Sequence, residues 1–401
     1  MRQFKKRKQT QRIIGVGLGI VLVVGLVYGG NLLLNRKDGS PQTPEPPVVS
    51  NSKTQLTLLA IGDMMFHQLQ LDRADHGGTY DFNENFDFIR DRVQAADIAF
   101  TNFEGSIDHS KPYSGYPAFN TPPEVFKAMS AAGFDVISTA NNHILDTGLA
   151  GLEGVADAIG ANGMLNVGTS KQADEHPIVY VTKNEITVAF IDYAENFNGN
   201  DTAETLRYAN GIDKTAIEAK VKEAKTKSDF VVTYFHWGEE YSSQSNQFQQ
   251  ELAANVADWG ADLVLGSHVH MVQDGTIIDR GSEPVYVLYG MGNALSNQRA
   301  DTINDLIGDR ASLSEDGLMS TFTLEKDKET QETRLIKVSF EPTWVNKTLD
   351  GGTYKYQILV CKDVIDGTLT GIDTSVILDR VKQSYQNTMK RIGLVDKSYG
   401  E

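Results

Sequence analysis

The stretch DLVLGSHVHMVQ, Asp262–Gln273, runs from an apolar strand-like segment straight into two histidines two residues apart. In an extended chain residues i and i+2 project to one side, so His268 and His270 are expected to reach a common point at the end of a strand. A pair of solvated or hydrogen-bonded histidines is the plain alternative, and the rest of the chain has to decide between them.

The same texture recurs. From Gln55 onward short β-branched runs alternate with helical patterns: QLTLLAIGD, NENFDFIRDRVQAA, DIAFTNFE, PPEVFKAMSAAG, FDVISTANN, then DFVVTYFHWG, NQFQQELAANVADWG, DLVLGSH and VYVLYGMGN. This alternation predicts an α/β fold with substantially parallel sheet, its strands buried on both faces. Six strand ends in succession carry oxygen or imidazole groups: Asp63; Asn102 and Glu104; Asn141, Asn142 and His143; His236; His268 and His270; Asn293. Ligands of open α/β sheets sit outside the carboxyl ends of strands, so these residues are expected to share one cleft.

Singly, each has an ordinary explanation. Asp63 after glycine reads as a helix cap, Asn142 and Asp146 as turn formers, His236 as a core histidine. Together they place four of the chain's eight histidines at strand ends. Mixed carboxylate, amide and imidazole ligands suit Mn, Fe or Zn better than Ca or Mg. Cys361 is the single cysteine, so no thiolate cluster is available, and an open catalytic site is expected rather than a closed structural zinc. A carboxylate such as Asp63 or Glu104 can bridge two ions, an arrangement suited to hydrolysis.

Charge and hydropathy set the surroundings. Residues 1–12 carry six cations and no acid, and removing those six positives from the net charge of −16 leaves −22 on the remainder. So acidic a body argues against nucleic acid as a partner. The uncharged run Ile13–Leu34 is long enough for a membrane-crossing helix, and no lipoprotein cysteine or convincing cleavage site follows it. Cations before it exceed the two after it, Arg36 and Lys37, so the N-terminus is expected in the cytoplasm and the C-terminal body outside the cell. Residues 35–54 hold four of the eleven prolines and read as an extended spacer. A globular domain is expected over 55–345. It ends in a hairpin with a charged turn, TFTLEKDKETQETRLIKVSFEPTWV, and is followed by a C-terminal extension, 346–401, with an amphipathic helix near Ser375 to Ile392.

The motifs GDMMFH, NFEGS, NNHILDTG, HWGEEY, GSHVHMVQ and GMGN, in this order from Gly62 to Asn293, resemble the CapA (poly-gamma-glutamate capsule biosynthesis) family, a branch of the calcineurin-like metallophosphoesterase superfamily. The resemblance implies a four-layer α/β/β/α sandwich and two divalent metal ions, Mn, Fe or Zn. It implies metal ligation by Asp63, Glu104, Asn142, His236, His268 and His270, with Glu104 bridging. His143 would be the acid for the leaving group, alongside Asp146, and Glu240, Gln273 and Asn293 would contact substrate. Partners implied are polymer synthase subunits and an anionic polymer or envelope phosphoester. The sequence departs from the superfamily at its first motif: Met64 and Met65 follow Asp63 where Asp-x-His is usual, and the nearest histidine is His67. Ala294 replaces an aromatic after Asn293. A general envelope phosphoesterase and a non-catalytic accessory subunit are the alternative readings.

Overall fold

A computed structural model describes residues 52–281 and 283–399. The basic segment 1–12, the apolar run 13–34 and the linker as far as residue 51 lie outside the described residues. Among the described residues no helix is long and apolar enough to cross a membrane.

The first half of the body lays down one sheet. β1 (Lys53–Met64) is followed by α1 (Gln68–Ala74) and α2 (Arg90–Ala95), then β2 (Ile98–Phe103), α3 (Glu124–Ala132), β3 (Val136–Ser138), α4 (Leu149–Ala161) and β4 (Leu165–Val167). The four strands run parallel in sequence order. Helical spacing of Val125, Phe126 and Met129 turns one face of α3 to the sheet, and Gly133, at φ 107°, stops the helix by returning its N–H to Met129 and Ser130.

The second sheet repeats the pattern. β5 (Val179–Lys183) and β6 (Ile186–Ala194) lead to α5 (Lys214–Lys227), β7 (Phe230–His236), α6 (Gln247–Trp259), β8 (Leu263–Ser267), β9 (Gly275–Ile278) and β10 (Val285–Leu288). The spatial order is β5-β6-β7-β8-β10-β9, parallel in the middle and antiparallel at both edges. The run VYVLYGMGN is not one strand: β10 stops at Leu288, and the chain crosses to the first sheet as β11 (Asn293–Leu295), parallel to β1 with Asn293 opposite Asp63. Gly62 permits this approach, since a Cβ there would lie 2.0 Å from the Gly292 carbonyl oxygen.

After α7 (Ala300–Ile307) and a 3-10 turn, β12 (Asp316–Asp327) pairs antiparallel with β1, and β13 (Thr333–Asp350) and β14 (Thr353–Val360) extend that sheet. The charged hairpin is present. β13 runs unbroken through the boundary expected at 345, so residues 346–401 complete the sheet and then supply α8 (Cys361–Ile365), α9 (Leu378–Ile392) and the short β15 (Lys397–Ser398). The Arg380 guanidinium of α9 donates to the buried Asp316 carboxylate at 2.9 Å.

Three main cores lie in the order helices, sheet, sheet, helices. One packs α1 to α4 on the first sheet, one packs α5 and α6 on the second, and one lies between the sheets. In the last, Phe100 of β2 stacks on Phe190 of β6 with ring centroids 5.7 Å apart. Phe100→Ala is expected to lower the unfolding free energy by about 3–5 kcal/mol through the cavity it leaves, measurable by urea denaturation.

Candidate metal centre

The parallel strands of both sheets deliver polar side chains to one buried cluster. Asp63 is the last residue but one of β1 and is fully buried. Its Oδ1 accepts from Asn102 Nδ2 at 2.7 Å and from the Tyr234 hydroxyl at 3.3 Å, while Oδ2 accepts from the His268 backbone N–H at 3.3 Å. Asn141 Nδ2 donates in turn to Asn102 Oδ1 at 3.2 Å, so the ends of β1, β2 and β3 are tied in a row.

Glu104, one residue past β2, is fully buried and neither carboxylate oxygen has a hydrogen-bond partner. Its Oε1 lies 3.8 Å from His236 Nε2 and 3.9 Å from His270 Nε2. Ligand atoms of Asp63, Glu104 and His270 all fall within 4.8 Å of one another. On the other side of Glu104, His236 Nε2 sits 2.9 Å from Asn142 Oδ1 and 3.1 Å from His268 Nδ1. All six residues expected to ligate metal therefore stand in one contact network, with Glu104 between its two halves.

His268 and His270 reach it by a different route from the extended strand expected. β8 ends at Ser267, and both histidines adopt left-handed backbone, φ 89° and 57°. The bend turns the rings to different partners, His268 to His236 and His270 to Asp63 and Glu104. Such conformations cost non-glycine residues about 1–3 kcal/mol and are kept where the surroundings impose them.

Burial sets the protonation of the cluster. It raises the Asp63 carboxyl, and with the neighbouring charges of Asp63, Glu240 and Asp146 it lifts Glu104 well above the ordinary carboxylate range. It pushes His236 and His270 well down, and His268 down to about 4, so these rings are neutral at pH 7 with a lone pair each. Paired buried carboxylates, orphaned oxygens and neutral imidazoles are the donor set a divalent cation requires.

The other expected site residues divide. His143 Nδ1 lies 2.7 Å from Asp146 Oδ2, the carboxylate oxygen that also accepts from the Phe119 backbone N–H. Glu240 is exposed, in the loop that follows His236. Gln273 is buried and spends its amide on the protein, donating to the Ser242 and Gln244 carbonyls and accepting from Gln249. Asn293 is also buried; its Nδ2 donates to Gln298 and to the Ser314 carbonyl, which leaves Oδ1 to accept from His270 Nδ1 at 3.2 Å. That bond leaves His270 Nε2 as the bare nitrogen facing Glu104.

Two residues absent from the sequence reading matter. Asp192 on β6 accepts from Ser138 Oγ and from the Thr139 and Ala140 backbone N–H groups, binding the second sheet to the loop that carries Asn142 and His143. Burial pushes its carboxyl up to about 8. An acid inside the apolar run ITVAFIDYA was the available signal. Asn198, which touches both Asn142 and His143, sits in a polar loop with no such signal.

Because Glu104 and Asp63 hold protons above the usual range, an incoming cation must displace them. Metal affinity is expected to rise with pH above the ordinary carboxylate value, with proton release detectable as buffer-dependent heats in calorimetry. Asn102→Ala, which removes the shorter of the two hydrogen bonds to Asp63 Oδ1, is expected to weaken metal binding about 10–100-fold in the same titration.

The family described as "Bacterial capsule synthesis protein PGA_cap" matches residues 57–298, which contain every residue of the cluster. The chain is 25% identical over 313 residues to the PGA biosynthesis protein CapA of Bacillus subtilis, covering 74% of this chain and 75% of that protein. It is 26% identical over 263 residues to the capsule biosynthesis protein CapA of Bacillus anthracis, covering 63% and 62% respectively. A solved phosphatase of Mycoplasma pneumoniae superposes with a TM-score of 0.44 at 12% identity, over 72% of this chain and 93% of that one. The match over residues 57–298 makes this chain a member of the bacterial capsule synthesis protein family.

Proposed function

We propose that the chain is a membrane-anchored, outward-facing component of poly-gamma-glutamate capsule biosynthesis or export, and that its strand-end cluster holds two divalent ions and hydrolyses a phosphoester on an envelope intermediate. The observation that carries the metal reading is Glu104, whose orphaned, buried carboxylate lies between His236 and His270. The apolar run Ile13–Leu34 and its flanking charges support the anchor, and the CapA relatives support the capsule context.

Bound ions would polarise a phosphoryl oxygen and lower the pKa of a water, two of the services metals give hydrolases. The chain's own residues supply the rest. Asp146 accepts from His143 Nδ1 and fixes that ring, so that a His143 imidazolium would hand the proton on Nε2 to a leaving oxygen. Phe119 packs edge-on against the His143 ring at 4.8 Å and limits its tilt. Asn198 Oδ1 accepts from the Asn142 amide at 3.3 Å, keeping that side chain turned inward. Asp63, Glu104 and the acidic body repel a polyanion unless cations invert the local charge, which favours a single terminal or small phosphate group at the site.

Full-length protein loaded with Mn or Zn is expected to turn over a simple aryl phosphate. His143→Ala and Asp146→Asn should each lower kcat by about 10²–10⁴-fold while leaving metal content unchanged. A fully metal-loaded chain inert toward every phosphoester offered would move the assignment to an accessory subunit.

A further inference from the structure

The loop between β6 and α5, residues 195–213, serves two places at once. Toward the metal cluster it presents Asn198, which accepts from the Asn142 amide. On the side of α5 it walls a cavity of about 500 Å³, room enough for a small molecule. Glu195 ties the two together: its backbone N–H donates to the His236 carbonyl at 2.9 Å, and its Oε2 accepts from the Gly238 N–H at 2.8 Å. None of the residues expected to ligate metal or to contact substrate lines this cavity.

Its lining is chemically divided. Phe197, Leu206, Ala209 and Ile212 give it an apolar wall. Tyr193 of β6 lines it as well; the residue is only 4% exposed, yet among the described residues its hydroxyl has no hydrogen-bond partner. Burial raises the pKa of that phenol, so it keeps its hydrogen at neutral pH. A buried hydroxyl without an acceptor is destabilising, and a ligand that supplies one relieves the cost. Lys220 of α5 reaches the same cavity, its ammonium 3.8 Å from Glu223 and so beyond hydrogen-bond distance of that carboxylate. Two carboxylates, Glu195 and Asp201, stand exposed at the opening, and Glu195 Oε1 has no partner among the described residues.

A simple anion would meet Tyr193 and Lys220 but be opposed by the two carboxylates at the opening. A simple amine would leave the tyrosine hydrogen without an acceptor. A zwitterion satisfies both sets of groups, and the apolar wall suits an apolar side chain. We propose that the cavity is a binding site for a free α-amino acid with an apolar side chain. The carboxylate of the ligand accepts from the Tyr193 hydroxyl and pairs with Lys220, its ammonium pairs with Glu195 and Asp201, and its side chain rests against Phe197 and Leu206. Occupancy of this site needs neither metal nor turnover, so the reading of the metal centre and this one stand or fall separately.

The test titrates the full chain with L-leucine by calorimetry, beside isocaproate, which lacks the ammonium, and isoamylamine, which lacks the carboxylate. Leucine is expected to bind with a Kd below about 1 mM, and each analogue about tenfold or more weakly. L-Glutamate, whose second carboxylate meets no further cation in the cavity, should also bind more weakly than leucine. Tyr193→Phe, which removes only the hydroxyl, should weaken leucine about 3–10-fold, and Lys220→Met about tenfold. Glu195→Gln, which keeps an oxygen for the Gly238 N–H, should likewise weaken leucine about tenfold. Absence of leucine binding, leucine affinity unchanged in Tyr193→Phe, or binding of either analogue or of glutamate as tightly as leucine would each overturn the proposal. The ligand series uses the parent chain alone and decides the matter even where a variant fails to fold.

Discussion

Glu104 presents a carboxylate sealed from water with neither oxygen hydrogen-bonded. A charge in that position is costly by several kcal/mol, and the chain has two ways to relieve it: keep a proton on the group, or bring a cation to it. The surroundings favour the cation. His236 and His270 approach the same Glu104 oxygen with rings that burial holds neutral, and no lysine or arginine of the described residues forms an ion pair with either Glu104 or Asp63.

Much of the fold serves to keep that arrangement rigid. Two sheets pressed face to face bring the ends of β1 and β2 against the ends of β6, β7 and β8, and the interlocking of Phe100 with Phe190 and of Tyr234 with Phe100 sets their separation. Polar ties then cross the seam: Tyr234 to Asp63, Asp192 to the β3 loop, the His268 main chain to Asp63. β11 closes the cluster from the far side, placing Asn293 beside Asp63 and Asn297 behind His67. Through Asn293 Oδ1 the same short segment makes His270 Nδ1 the donor and leaves its Nε2 as the acceptor.

The C-terminal region earns its place through the same segment. Arg380 and Arg299 meet Glu315 at 3.3 Å each, and the Trp344 indole donates to that carboxylate at 2.9 Å. Ser314, the neighbouring residue, takes a hydrogen bond from Asn293 on its carbonyl. β14 and α9 are therefore part of the scaffold behind the His270 side of the cluster.

By itself the sequence determined the alternation of strand and helix, because 2-residue and 3.6-residue hydrophobic periods are local, and it determined which residue types lie at strand ends. Asp63, Glu104, Asn142, His236, His268 and His270 were legible for that reason. Tertiary structure alone decided how the pieces meet. The break of VYVLYGMGN into β10 and β11, the bend that sends His268 and His270 to different partners, and the buried amides of Gln273 and Asn293 all follow from contacts between residues distant in the chain. Asp192 and Asn198 joined the site the same way, through partners that folding brings to them. A side chain's type is written locally, whereas its protonation and direction are set by whichever donors and acceptors folding brings within about 3 Å of it.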